Sequence, residues 1–80
     1  MAKLPVLRGK ELIAFLESNG FKVIRAKGSH VRLASEDGRL VTVPTHAGKT
    51  IPKGLLRKIV REDVEMTLGK FLNLYEMWKR

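Results

Sequence analysis

Between residues 21 and 43, three runs rich in Val, Leu and Ile are separated by very short punctuation: Gly28-Ser29, then Glu36-Asp37-Gly38. Gaps this short join neighbouring antiparallel strands, so the segment reads as a three-stranded meander, with strands near 21–27, 30–35 and 39–43. The rest of the chain has to cover one face of that sheet. "GKELIAFLESNGF" provides an amphipathic helix whose Leu12, Ile13, Phe15 and Leu16 share a stripe. Gly20 then suits the positive φ of a helix ending, with Phe21 folding back onto Leu16. "TIPKGLLRKIVRE" reads as a second helix. Pro52 sits in its first turn, where a missing N–H costs nothing, and Ile51, Leu55, Leu56, Ile59 and Val60 form its stripe. "EDVEM" reads as a break. A last helix from about Thr67 carries Leu68, Phe71, Leu72, Tyr75 and Trp78 at helical spacing. The expected fold class is α+β, in the order α-β-β-β-α with an extra C-terminal helix. Eighty residues, 1–80, fit one small domain with a thin core.

Register decides what such a sheet shows to solvent, because a slip of one residue moves every side chain to the other face. A two-residue Gly28-Ser29 turn pairs Lys27 with His30, Ala26 with Val31, Arg25 with Arg32 and Ile24 with Leu33. Cross-strand partners share a face. Ile24, Ala26, Val31 and Leu33 are then expected on one side, and Arg25, Lys27, His30 and Arg32 on the other. A three-residue Glu36-Asp37-Gly38 loop, with Gly38 at the left-handed position, pairs Leu33 with Val41 and Val31 with Val43. That places Thr42 beside Arg32. A direct Asp37-Gly38 turn would put Val41 and Val43 on the wrong side. The helices are therefore expected over the apolar face, leaving His30 among cations on the open one.

The charge follows the same division. Residues 21–61 hold ten Lys or Arg against two acids, which accounts for the entire net charge of +8. The flanks hold six cations and six anions. So localised an excess attracts polyanions by Coulomb steering and counterion release. Arg25, Lys27, Arg32, Lys49 and Lys53 are the candidate RNA-binding residues. There is no cysteine, which excludes a disulfide framework and a Cys-based zinc site and is compatible with a reducing cytoplasm. Met1–Pro5 is too short for the apolar region of a secretory signal. No apolar run approaches the ~20 residues of a membrane span.

His30 has two readings: a polar residue at a hairpin end, or a general base. A neutral imidazole can take the proton of a ribose 2′-hydroxyl, which then attacks the adjacent phosphorus. Surrounding cations would stabilise the charge of that transition state. This chemistry needs no metal and no cofactor. The strands lack the carboxylates of a magnesium site, and His30 with His46 gives a zinc ion only two ligands. His46, in "VPTHAGKTIP", reads as a second acid–base group, a loop hydrogen-bonder or an exposed side chain.

These pieces resemble the HicA family of bacterial toxin–antitoxin ribonucleases, which has a compact dsRNA-binding-domain-like fold. The family pattern falls on Gly20-Phe21, Gly28-Ser29-His30, Pro44-Thr45-His46 and Gly54-Leu55-Leu56-Arg57-Lys58-Ile59, in order. The resemblance implies that His30 is the catalytic histidine of a toxin that cleaves mRNA; Ser29 and His46 are candidate auxiliaries. It also implies a HicB-type antitoxin that covers the His30 face. Residues 63–80 are longer and more aromatic than the family's usual ending, and no function is carried onto them. Their stripe reads as core, with Tyr75 and Trp78 as partner contacts in the alternative. Two other functions compete: a non-catalytic RNA-binding module on the same scaffold, and an interaction protein whose charge meets an acidic partner.

Overall fold

The computed structural model describes residues 3–80; Met1 and Ala2, in the segment read as too short for a secretory signal, lie outside it. The chain forms α1 (Gly9–Ser18), β1 (Phe21–Lys27), β2 (His30–Ser35), β3 (Leu40–Pro44), α2 (Lys53–Lys58) and α3 (Leu68–Lys79). The strands make one antiparallel sheet in the order β1-β2-β3. The expected α+β order and the added C-terminal helix are both present.

Both turns close as their sequences require. Gly28 alone takes positive φ in the first turn (59°), and Lys27 pairs with His30. This is the pattern of a two-residue turn with Gly leading. In the second, Gly38 has φ 90°, and the Ser35 N–H donates to the Arg39 carbonyl at 3.0 Å, closing a three-residue loop. The Ser35 hydroxyl bonds the Asp37 carboxylate, and the Arg39 guanidinium pairs with it at 2.9 Å. The serine bond first, then the arginine, holds the Asp37 carboxyl below the ordinary carboxylate range. A lowered folded-state value means that this contribution is present at neutral pH and is lost as acid carries the solution through that value. Arg39 also lies 5.1 Å over the Phe21 ring and donates to the Val64 carbonyl at 2.7 Å, tying the meander to the segment after α2.

One register differs from expectation. Leu33 pairs with Val23, not Ile24, because a bulge lies between Val23 and Arg25. Phe21 and Ala26 are an odd number of residues apart, so a regular strand would turn them to opposite faces. The extra residue corrects the parity and lets Phe21 reach the core, where it is 2% exposed. Ile24 is left 55% exposed. Beyond Phe21, β1 is exposed on both faces, so the helices cover mainly β2 and β3.

The core lies between the inner face of the sheet and the helices, where Leu33, Val41 and Val43 meet Phe15, Leu16 and Leu56. Leu4 and Leu7, from a segment with no periodic signal, are buried too. The Leu7 carbonyl accepts from the Ile51 N–H at 2.7 Å. Leu55, expected in the buried stripe, stands at the surface instead, 36% exposed. Past Lys58 the helix widens over Ile59–Asp63, with the Val64 N–H reaching the Ile59 carbonyl five residues back at 2.8 Å. The wide turn buries Ile59, Val60 and Val64 together. Glu62 and Asp63, expected in a break, belong to it. Thr67 caps α3 by accepting from the Lys70 N–H at 3.1 Å. The α3 stripe is core: the Phe15 ring meets Phe71 at 5.2 Å, Trp78 at 5.7 Å and Tyr75 at 5.9 Å. Such pairs contribute about 0.5–1.5 kcal/mol each beyond their burial.

Because Ile24 is the spare residue of β1, deleting it restores a regular ladder with Phe21 still facing inward. Urea unfolding of that variant should stay within about 1 kcal/mol of the parent. Deleting Arg32 from the central strand, where no residue is spare, should abolish the cooperative transition.

Candidate functional site

The outer face of the sheet follows from its inner one. With Val31, Leu33, Val41 and Val43 turned inward, alternation points His30, Arg32 and Thr42 outward. His30, the first residue of β2, pairs with Lys27 on β1 and Pro44 on β3. The next rung that faces outward is Arg25, Arg32 and Thr42. Arg25, Lys27, His30, Arg32 and Thr42 line one depression. A second groove, between β3 and α2, also touches His30 and is lined by Thr42, Pro44, Leu55, Lys58, Ile59 and Asp63. Lys58 and Asp63 face each other there at 4.0 Å. His30 thus stands between an all-cationic flank and a mixed, partly apolar one.

His46 comes to the same place. It follows β3 in a turn in which the Lys49 N–H donates to the His46 carbonyl at 3.1 Å. The rings of His30 and His46 are 6.4 Å apart, centre to centre, with 77° between their planes. Both side chains are exposed. Among the described residues, neither ring takes part in a hydrogen bond. The two histidines are linked through the residues that precede them. Thr45 donates twice to the Ser29 carbonyl, from its N–H at 2.6 Å and from Oγ1 at 3.1 Å. Ser29 enters this joint through its backbone, not its hydroxyl.

Gly9 fixes the His46 loop from behind. A Cβ there would lie 2.1 Å from the Pro44 oxygen and 3.0 Å from the Thr45 Cα, so α1 starts where only glycine allows it. This approach brings Arg8 and Lys10 to a depression that they share with Thr45, His46 and Gly48. Arg8 and Lys10 belong to the charge-neutral flank and carried no sequence signal for the site. Nor did Asp63 and Leu55, whereas Lys58 is one of the ten central cations. Of the five candidate RNA-binding residues, Arg25, Lys27 and Arg32 gather around His30. Lys49 and Lys53 do not line either of its depressions; they lie in the His46 turn and at the start of α2. Among the described residues, no three His, Cys, Asp or Glu side chains come together as a metal-binding group.

A three-stranded sheet with one face packed by helices and the other presenting a histidine among cations defines a small α+β protein with a cationic open face. The family model described as HicA toxin of bacterial toxin–antitoxin matches residues 9–64, more than half of the chain. The protein belongs to this family. A comparison with curated proteins finds no match to it. The matched span holds both histidines and ends before α3.

Gly9 provides a direct test of this packing. Helix propensity alone would favour Gly9→Ala by about 1 kcal/mol. The clash with the Pro44 carbonyl should reverse the sign and lower stability by roughly 1–3 kcal/mol in urea unfolding.

Proposed function

We propose that this HicA-family toxin is a metal-independent endoribonuclease that cleaves mRNA with His30 as its catalytic base. The observation that carries the reading is the placement of an exposed His30, whose ring has no hydrogen bond among the described residues, in a depression lined by Arg25, Lys27 and Arg32. These cations hold the phosphate and offset the charge that builds up in the transition state. His30 takes the 2′-hydroxyl proton, and the 2′-oxygen attacks phosphorus. An mRNA substrate puts the protein in the cytoplasm. Among the described residues, no helix is long and apolar enough to cross a membrane. The antitoxin partner is of the HicB type, and an acidic surface on it covers the His30 face.

A second reading, a non-catalytic RNA-binding module, draws on a different observation. Gly54, Arg57, Lys58, Arg61 and Glu62 line a further depression along α2, outside the histidine pair. A double-stranded RNA reader uses phosphate contacts of this kind without cleavage.

The two readings part on chemistry. His30→Ala should lower the rate of RNA cleavage by ~10²–10⁴ and leave the fold and RNA affinity in place. The wild type should cleave in EDTA, leave a 2′,3′-cyclic phosphate or its 3′-phosphate product, and fail on RNA that is 2′-deoxy at the scissile ribose. Cleavage by His30→Ala at the wild-type rate would leave the binding module in place of the enzyme.

Binding has its own signature. Affinity for single-stranded RNA should fall with salt at a log–log slope of about −0.7 per phosphate contact. Arg25→Ala, Lys27→Ala and Arg32→Ala should each flatten that slope. Lys3→Ala, Lys70→Ala and Lys79→Ala should leave it unchanged, and equal effects from both sets would rule out a localised site.

A further inference from the structure

We propose that His46 is a second catalytic residue, the general acid that protonates the leaving 5′-oxygen while His30 deprotonates the 2′-hydroxyl. The assignment rests on the ribonuclease reading above and adds to it a residue and a role. In-line displacement places the attacking and leaving oxygens on opposite sides of phosphorus. An acid and a base that serve it must therefore straddle one phosphate, each within roughly 3 Å of its own oxygen. At 6.4 Å between centres, the two rings are too far apart to bond one another and close enough to bracket a single phosphate.

The spacing is built in. Each histidine follows directly on one half of the Thr45–Ser29 joint, so two hydrogen bonds to the Ser29 carbonyl, one from the Thr45 N–H and one from its hydroxyl, fix where both rings start. The Gly9 contact closes the space into which the His46 loop would otherwise shift. The ring of His46 has no hydrogen bond of its own among the described residues, so its position does not serve the loop; only its carbonyl does, through Lys49. Arg8 and Lys10 flank His46 as Arg25, Lys27 and Arg32 flank His30. Cations on both sides of the phosphate suit the extra negative charge of a five-coordinate phosphorus.

The step balances. A proton passes from the 2′-oxygen to the His30 imidazole as the O2′–P bond forms. The P–O5′ bond breaks, and the His46 imidazolium gives its proton to the departing 5′-oxygen. The products are a 2′,3′-cyclic phosphate and a 5′-hydroxyl. Hydrolysis of the cyclic ester runs the roles in reverse: His46 takes a proton from water and His30 returns one to the 2′-oxygen.

A leaving group that needs no acid tests the assignment. The full chain is assayed on one RNA with either oxygen or sulfur at the 5′-bridging position of the scissile bond, since sulfur departs as a thiolate. His46→Ala should be slowed by ~10²–10⁴ on the oxygen substrate. On the sulfur substrate it should recover to within about tenfold of the wild type. His30→Ala should be defective on both. Binding of an uncleavable 2′-deoxy analogue by His46→Ala should match the wild type, which separates chemistry from folding. Equal slowing of His46→Ala on both substrates, or a wild-type rate on oxygen, overturns the assignment while an inactive His30→Ala keeps the ribonuclease reading. A wild-type rate for His30→Ala overturns both.

Discussion

Turning Val31, Leu33, Val41 and Val43 inward is the constraint on which the rest depends, because in a strand it also decides what faces outward. The four apolar side chains alternate with His30, Arg32, Thr42 and Pro44. Burial of the first set, at about 25 cal/mol per Å² of apolar area, drives the second set into solvent. The core therefore selects the open face, and no separate interaction is needed to present His30. A register slip would expose the valines and bury the cations in one move, so the site and the stability of the sheet are lost together.

The open face has a cost. Arg25 lies directly across from Arg32, and like charges in that position destabilise a sheet. β1 also gains little from the helices, being exposed on both faces beyond Phe21. The compensation lies elsewhere, in the core, where Phe15 meets Phe71, Tyr75 and Trp78. A local rule broken at a charged face and offset by packing at a distance is the usual signature of a functional surface.

Sequence made the open face legible because period-two alternation and turn length are local properties. The second hairpin, the three rungs next to Gly28-Ser29 and the stripe of α3 all follow from them. Ile24 escaped because the parity conflict between Phe21 and Ala26 does not say which residue gives way. Asp63 escaped for a related reason: an i→i+5 turn has no composition of its own, and it shifts every later position of the helix. Arg8, Lys10 and the meeting of His46 with His30 depend on how closely α1 approaches Pro44 and Thr45. That is a tertiary distance, and Gly9 hints at it only once the neighbour is known.

The wide turn after α2 also shapes the electrostatics around His30. Ile59 and Val64, five residues apart, are both buried, which an ordinary helical turn would rotate away from each other. The same geometry sets Asp63 opposite Lys58, also five residues apart, in the groove beside His30. The pair is partly exposed and adds little stability. Its effect is on sign: the carboxylate offsets Lys58, while Arg25, Lys27 and Arg32 meet no acid in the depression they line. The charges lining the two depressions beside His30 therefore differ: three cations and no acid on the sheet side, and a lysine facing a carboxylate on the other. If the protein is the ribonuclease proposed above, that asymmetry draws a phosphodiester to the strand side of the histidine pair, and Leu55 leaves the helix side for uncharged groups.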